Sequence, residues 1–138
     1  MSSDPLSRLP HGLSFRFVDR ILERVPGTKV IALKNVTCGD PHLQDHFPGN
    51  PVMPGVLLIE AMTQTAGLLL PDGSSAVLAQ IKEARFRRPV FPGDQIRIEA
   101  ERLGGLGGLH RFTVTASVDG APAAEAEIVL AQTQAPPA

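Results

Sequence analysis

The sequence has no tryptophan, no tyrosine and only six phenylalanines in 138 residues. A buried core must therefore be filled by Ala, Val, Leu and Ile, and the apolar share of 43% is that of a globular chain. Disorder is excluded by the same figure. The single cysteine, Cys38, rules out an internal disulfide scaffold and a cysteine-rich metal site, and fits a reducing cytoplasm. No charge of one sign dominates: a formal net charge of -1 argues against nucleic acid as the main partner. The N-terminal residues lack the basic and then apolar pattern of a signal peptide. The longest apolar run, Val56 to Leu70, is broken by Glu60, Thr63 and Gln64 and is too short to span a bilayer. These absences predict a soluble, cytoplasmic protein with no membrane partner.

The length suits one domain over 1–138, with a frayed tail at 133–138. Phe15 to Val25 and Lys29 to Thr37 have strand-like apolar content and flank a Pro26-Gly27 turn, which predicts a hairpin. From Cys38 to Pro54 the chain is polar and carries prolines at 41, 48, 51 and 54, so it must be a structured loop. Good helix formers then run from Gly55 to Leu70 and stop at Pro71-Asp72-Gly73. This helix is apolar on nearly every side, the mark of a buried helix. Further strand-like segments lie at Ala76 to Phe86, Gln95 to Leu103, His110 to Val118 and Ala124 to Ala131. The order predicts an α+β fold: an antiparallel β-sheet packed against one long central helix. The Gly104 to Gly108 stretch lies between two strands and lacks the spacing of a dinucleotide fingerprint, so it reads as a hairpin loop.

Two residues stand out chemically. Glu60 puts a carboxyl on an otherwise apolar helix, where burial is costly unless the group is paired, hydrogen-bonded or protonated. Gln64, one turn later on the same face, can hold it by an i, i+4 hydrogen bond. The plainer alternative is a glutamate at the helix edge facing solvent, and the helix pattern alone does not separate the two. His46 opens the segment His46-Phe47-Pro48-Gly49-Asn50-Pro51-Val52-Met53-Pro54-Gly55, whose prolines and glycines define a rigid path into the helix. The first helical amides, at Gly55 and Val56, lack intrahelical acceptors and sit at the positive end of the helix dipole, where they could polarise a carbonyl oxygen. The missing side chain of Gly55 allows close approach. Alone, His46 reads as a structural or surface histidine. An imidazole, a protonatable carboxyl and a polarising amide together suit removal of a proton beside a carbonyl with protonation of a leaving oxygen, as in β-elimination of water from a 3-hydroxy thioester.

The chain resembles the bacterial 3-hydroxyacyl-(acyl-carrier-protein) dehydratases of dissociated fatty-acid synthesis, which have the hotdog fold. The resemblance rests on Leu9-Pro10-His11, Phe17-Val18-Asp19-Arg20, the His46 to Leu57 segment with Ile59-Glu60-Ala61-Met62 and Gln64, and Arg85-Phe86-Arg87-Arg88-Pro89-Val90 with Pro92-Gly93-Asp94. It implies that His46 takes the C2 proton while Glu60 of the partner subunit protonates the departing C3 hydroxyl. It also implies that the Gly55 amide binds the thioester carbonyl and the Val52 carbonyl orients His46. Val52, Met53, Gly55, Val56 and Gln64 form the expected substrate-binding set. The resemblance further implies that no metal or organic cofactor is needed, because the substrate rides on the phosphopantetheine arm of acyl carrier protein. The expected assembly is a homodimer with shared active sites, and association into a trimer of dimers stays open. Glu at position 60, rather than Asp, matches the branch that only dehydrates.

By charge, Lys82, Arg85, Arg87 and Arg88 are candidates to meet the acidic carrier; each alone reads equally well as a solvated strand residue. Ser74 to Gln80 lacks the aromatics usual near the acyl tunnel in that family. Lys82 stands where Asp is common, His110 where Trp is common, and Gly12 and Ser14 replace Arg and Pro. A zinc site from His42 and His46 would need a helix that the neighbouring prolines forbid. A hotdog acyl-thioesterase and a non-catalytic acyl-thioester-binding subunit are the rival functions, and retention of both His46 and Glu60 argues against each.

Overall fold

The computed structural model of the protein describes residues 6, 9, 16–40, 43, 51–71 and 74–133. In chain order these form β1 (Arg20–Val25), β2 (Lys29–Asn35), α1 (Gly55–Gly67), β3 (Ser75–Phe86), β4 (Gln95–Leu106), β5 (Leu109–Val118) and β6 (Ala121–Thr133). The strands make one six-stranded antiparallel sheet in the order β1-β2-β4-β5-β6-β3.

Local chemistry sets the hairpins. Two-residue turns suit twisted strands when both central residues have positive φ. Gly107 and Gly108, at φ 61° and 84°, join β4 to β5, and Asp119-Gly120, at 51° and 79°, joins β5 to β6. The expected glycine loop is thus shorter than its sequence: Gly104, Gly105 and Leu106 continue β4, past a register shift between Arg102 and Gly104. Similarly, Thr133 pairs with Ser75 as the last residue of β6, so only 134–138 of the expected tail lie outside the described residues.

Alternation along the strands turns one face of the sheet toward α1. Ile96, Ile98, Ala100, Phe112, Val114 and Ala116 are each fully buried there. They form one core with Leu58, Ala61, Met62 and Ala66 of the helix, also buried. With one large ring, Phe112, on the central strands, alanines let the helix lie close to the sheet, as the ring-poor composition requires. Pro54 begins the helix without a side-chain cap, and its own last turn contains no basic residue. Arg24 of β1 supplies the missing donor, with Nε 2.9 Å from the Leu68 carbonyl. This contact locks the helix C-terminus to one edge of the sheet.

The two edges differ. β1 is short, shifts register between Ile21 and Glu23 and carries Arg20, Glu23 and Arg24, the features that discourage edge pairing. β3 is twelve residues long, and Ser75 to Ile81 has no charge at all. Cross-strand partners share a face, so Leu78, Ile81 and Phe86, opposite Leu130, Ile128 and Ala124, lie on the helix side. They are nevertheless 39%, 45% and 53% exposed. Among the described residues, no helix is long and apolar enough to cross a membrane.

Candidate active site

Helical spacing decides which side chains of α1 the sheet leaves uncovered. Val56, Glu60, Thr63 and Gly67 are at i, i+4, i+7 and i+11 and share one stripe. Val56 is 77% exposed, and Glu60, Thr63 and Gly67 are half-buried. The expectation of burial on nearly every side is thus met around most of the helix, from Leu58 to Ala66, and this one stripe is the exception.

Glu60 is held from within its own helix: Gln64 Nε2 donates to its Oε1 at 3.1 Å, the i, i+4 contact expected from the spacing. Gln64 is buried, and its Oε1 accepts the backbone N–H of Phe17 at 2.9 Å. That acceptance orients the amide, since a backbone N–H can only donate and must face the oxygen. Phe17 was not foreseen as part of the site, and a backbone donor 47 residues away leaves no mark in a sequence. Thr63 Oγ1, one turn from Glu60, is buried without a hydrogen-bond partner.

Glu60, Thr63 and Gln64 line one end of an open cavity of about 260 Å³. Its far end lies among Leu68, Leu70, Ala76, Leu78 and Leu130. Seven residues of helix separate Glu60 from Gly67 on this wall, about 10 Å at 1.5 Å per residue. The cavity therefore joins a carboxyl to an elongated apolar slot. Its small side chains at Ser74, Ser75 and Ala76 fall in the segment that lacks aromatics.

The helix N-terminus faces a different groove, of about 330 Å³, lined by Val52, Met53, Gly55, Phe86, Arg87 and Arg88 among others. The first hydrogen bonds into the helix run from Leu57 and Leu58 to the Pro54 carbonyl, leaving the Gly55 and Val56 amides ahead of them. Met53 is a core residue, 4% exposed, whose amide donates to the Val90 carbonyl at 2.8 Å and fixes the approach to the helix. A Cβ on Gly55 would meet the Phe86 ring at 3.1 and 3.3 Å. The glycine thus makes room for that ring as well as for any ligand.

His46 lies outside the described residues. So do His11 and His42, while Cys38 is exposed. His110 sits within hydrogen-bonding distance of Arg102 and, through Nε2 at 2.8 Å, of Gln132, which accounts for it structurally. No group of three or more His, Cys, Asp or Glu able to hold a metal occurs among the described residues.

The four basic candidates separate into distinct settings. Arg87 is hydrogen-bonded and ion-paired to Glu125. That hydrogen bond and the carboxylate charge hold the guanidinium above its ordinary value. Glu125 is held below its own, mainly by the same hydrogen bond. Lys82 is 3.8 Å from Glu127 and borders another groove with Arg111. Arg88 makes no ion pair among the described residues and shares the Gly55 groove. Arg85 lies opposite Glu125 on β3.

Among the described residues, a long helix cradled by an antiparallel sheet, with a carboxyl on its uncovered stripe, is the hotdog arrangement. The FabA-like domain family matches residues 9–127, and the chain belongs to that family. Within it, the chain is 49% identical over 131 residues to the 3-hydroxyacyl-(acyl-carrier-protein) dehydratase FabZ of Polynucleobacter asymbioticus, covering 91% of this chain and 88% of that one. It is 47% identical over 127 residues to the FabZ of Geotalea uraniireducens, covering 87% and 88%. In three dimensions it is similar to the dehydratase heterocomplex ApeI:P from Xenorhabdus doucetiae, with a TM-score of 0.78, 18% identity and coverage of 96% and 93%.

Proposed function

We propose that the protein dehydrates (3R)-3-hydroxyacyl thioesters of acyl carrier protein to trans-2-enoyl thioesters in fatty-acid synthesis, as a dimer with shared sites. The observation that carries this reading is Glu60, held by Gln64 on the wall of a largely apolar cavity that runs about 10 Å along the helix. His46 removes the C2 proton, and the charge that develops on the thioester oxygen is met by the Gly55 amide. Glu60 gives its proton to the C3 hydroxyl, the C3–O bond breaks and water leaves as the C2–C3 double bond forms. Proton exchange with solvent then returns both side chains to their starting states. No step calls for a metal or an organic cofactor.

Two features support a site shared between subunits. Glu60 and the Gly55 amide open into separate cavities of one protomer. The helix stripe and the exposed apolar side of β3 border one cavity, at Thr63, Gly67 and Leu78, and among the described residues β3 is an edge strand, which suits pairing with a second β3. The direct test is to give the purified protein a (3R)-3-hydroxyacyl carrier-protein thioester and follow enoyl product by mass together with free thiol. Water loss is expected; thiol release without it would make the protein a thioesterase instead.

Two variants probe the Gly55 groove. Gly55→Ala is expected to leave the melting temperature near that of the wild type, because half-exposed Phe86 can yield to the new methyl group. It should lower kcat/KM about ten- to a hundredfold, since a displacement near 1 Å is costly to catalysis. Unchanged kcat/KM would remove the Gly55 amide from the mechanism. Arg88→Glu is expected to raise KM for carrier-bound substrate about tenfold and to leave turnover of a small carrier-free thioester unchanged, as a docking charge does. Equal effects on both substrates would argue against carrier docking there.

A further inference from the structure

Lys34 of β2 carries a buried charge that the reaction chemistry does not use. It is 5% exposed, and its Nζ lies 3.8 Å from Asp19 Oδ2 and 3.9 Å from Asp40 Oδ2. Buried charges persist when they are paired, and here both partners are themselves anchored. Asp19 Oδ2 accepts the Asn35 amide at 2.7 Å, and Asp40 Oδ2 accepts the Thr37 amide at 3.2 Å. The same ammonium lies 5.7 Å from the centroid of the Phe17 ring, within reach of a cation–π contact. Phe17 is 2% exposed, so its ring and backbone move together with the packing around Lys34.

We propose that Lys34 is a positioning residue for Glu60, acting through Phe17 and Gln64. Lys34 fixes the Phe17–Asp19 segment against β2 from one side, while the Asp19 amide bonds to the Leu33 carbonyl at 2.8 Å. The Phe17 amide faces Gln64 Oε1 at 2.9 Å, which turns Gln64 Nε2 toward Glu60 Oε1 at 3.1 Å. If the Phe17 amide moves away, Gln64 loses a contact that makes it present its NH₂ group. An amide rotated by half a turn would set its oxygen against the carboxyl oxygen. Lys34 thereby selects the amide orientation that holds the Glu60 carboxyl in one pose.

The inference rests on Glu60 being the acid, so Glu60→Gln accompanies the test. Full-length Lys34→Met is expected to lower kcat about tenfold with KM within about twofold, as loss of alignment without loss of binding does. Exchange of the Phe17 amide with deuterated solvent should accelerate about tenfold as its hydrogen bond opens more often. Should Lys34→Met fail to fold, Asp40→Asn and Phe17→Leu carry the test. The first weakens the ion pair, and the second removes the ring while keeping the amide. Each should lower kcat about threefold at constant KM. Wild-type kcat in Lys34→Met, or in both substitutes if it does not fold, would overturn the positioning role while inactive Glu60→Gln still upheld the acid. An active Glu60→Gln would overturn the acid itself.

Discussion

Glu60→Gln is expected to lower single-turnover dehydration about a thousandfold and to leave the fold and the proposed dimer intact, a loss within the range for removing a positioned general acid. The substituted amide keeps the shape of the side chain, and its oxygen can still accept from Gln64 Nε2, which now donates to Glu60 Oε1 at 3.1 Å. What disappears is the proton for the departing hydroxyl. Rapid-quench measurement of enoyl thioester isolates this step from product release. Turnover within tenfold of wild type would show that another group supplies the proton. Mixing Glu60→Gln with His46→Ala sharpens the result. If each site draws its histidine and its glutamate from opposite subunits, half of randomly mixed dimers are hybrids, and each hybrid holds one intact site of two. Activity should recover to about a quarter of wild type, given two-fold symmetry. Hybrids that form and remain inactive would contradict a shared site.

Ile81→Lys is expected to give a folded monomer with dehydration lowered at least about a hundredfold, because the catalytic geometry would no longer be assembled. Ile81 is 45% exposed and lies opposite Ile128 on the helix side of the edge strand. A lysine there costs the isolated protomer little, yet it sets like charges together when two β3 edges meet. Sedimentation velocity reads the assembly, and circular dichroism reads the fold. A fully active monomer would contradict the proposed dimer.

Several features of the fold were legible because they depend on near neighbours in the chain. Pro54 precedes the helix as expected, since proline begins helices but cannot sit inside them, whereas the helix ends at Gly67, three residues short of the expected Leu70. Alternation at Ile96, Ile98 and Ala100, and at Phe112, Val114 and Ala116, identifies two core strands. The contact between Glu60 and Gln64 follows from the helical repeat alone. Glycine was a weaker guide: positive φ is needed at Gly107 and Gly108, whereas Gly105 belongs to β4.

The helix, the strand periods and the Glu60–Gln64 pair could therefore be read from the chain, because spacings of two to four residues govern them. Tertiary structure decided which side of α1 stays uncovered and that β3, next after the helix, pairs with the final strand β6. It also separated the Glu60 cavity from the Gly55 groove and brought the Phe17 amide to Gln64 and Lys34 between Asp19 and Asp40. These relations join residues far apart in the chain, and they arise only when burial of the apolar faces selects one sheet order and one seat for the helix. Glu60 is a glutamate on a helix by local rules; the sheet that covers the opposite face leaves it on the wall of a largely apolar cavity.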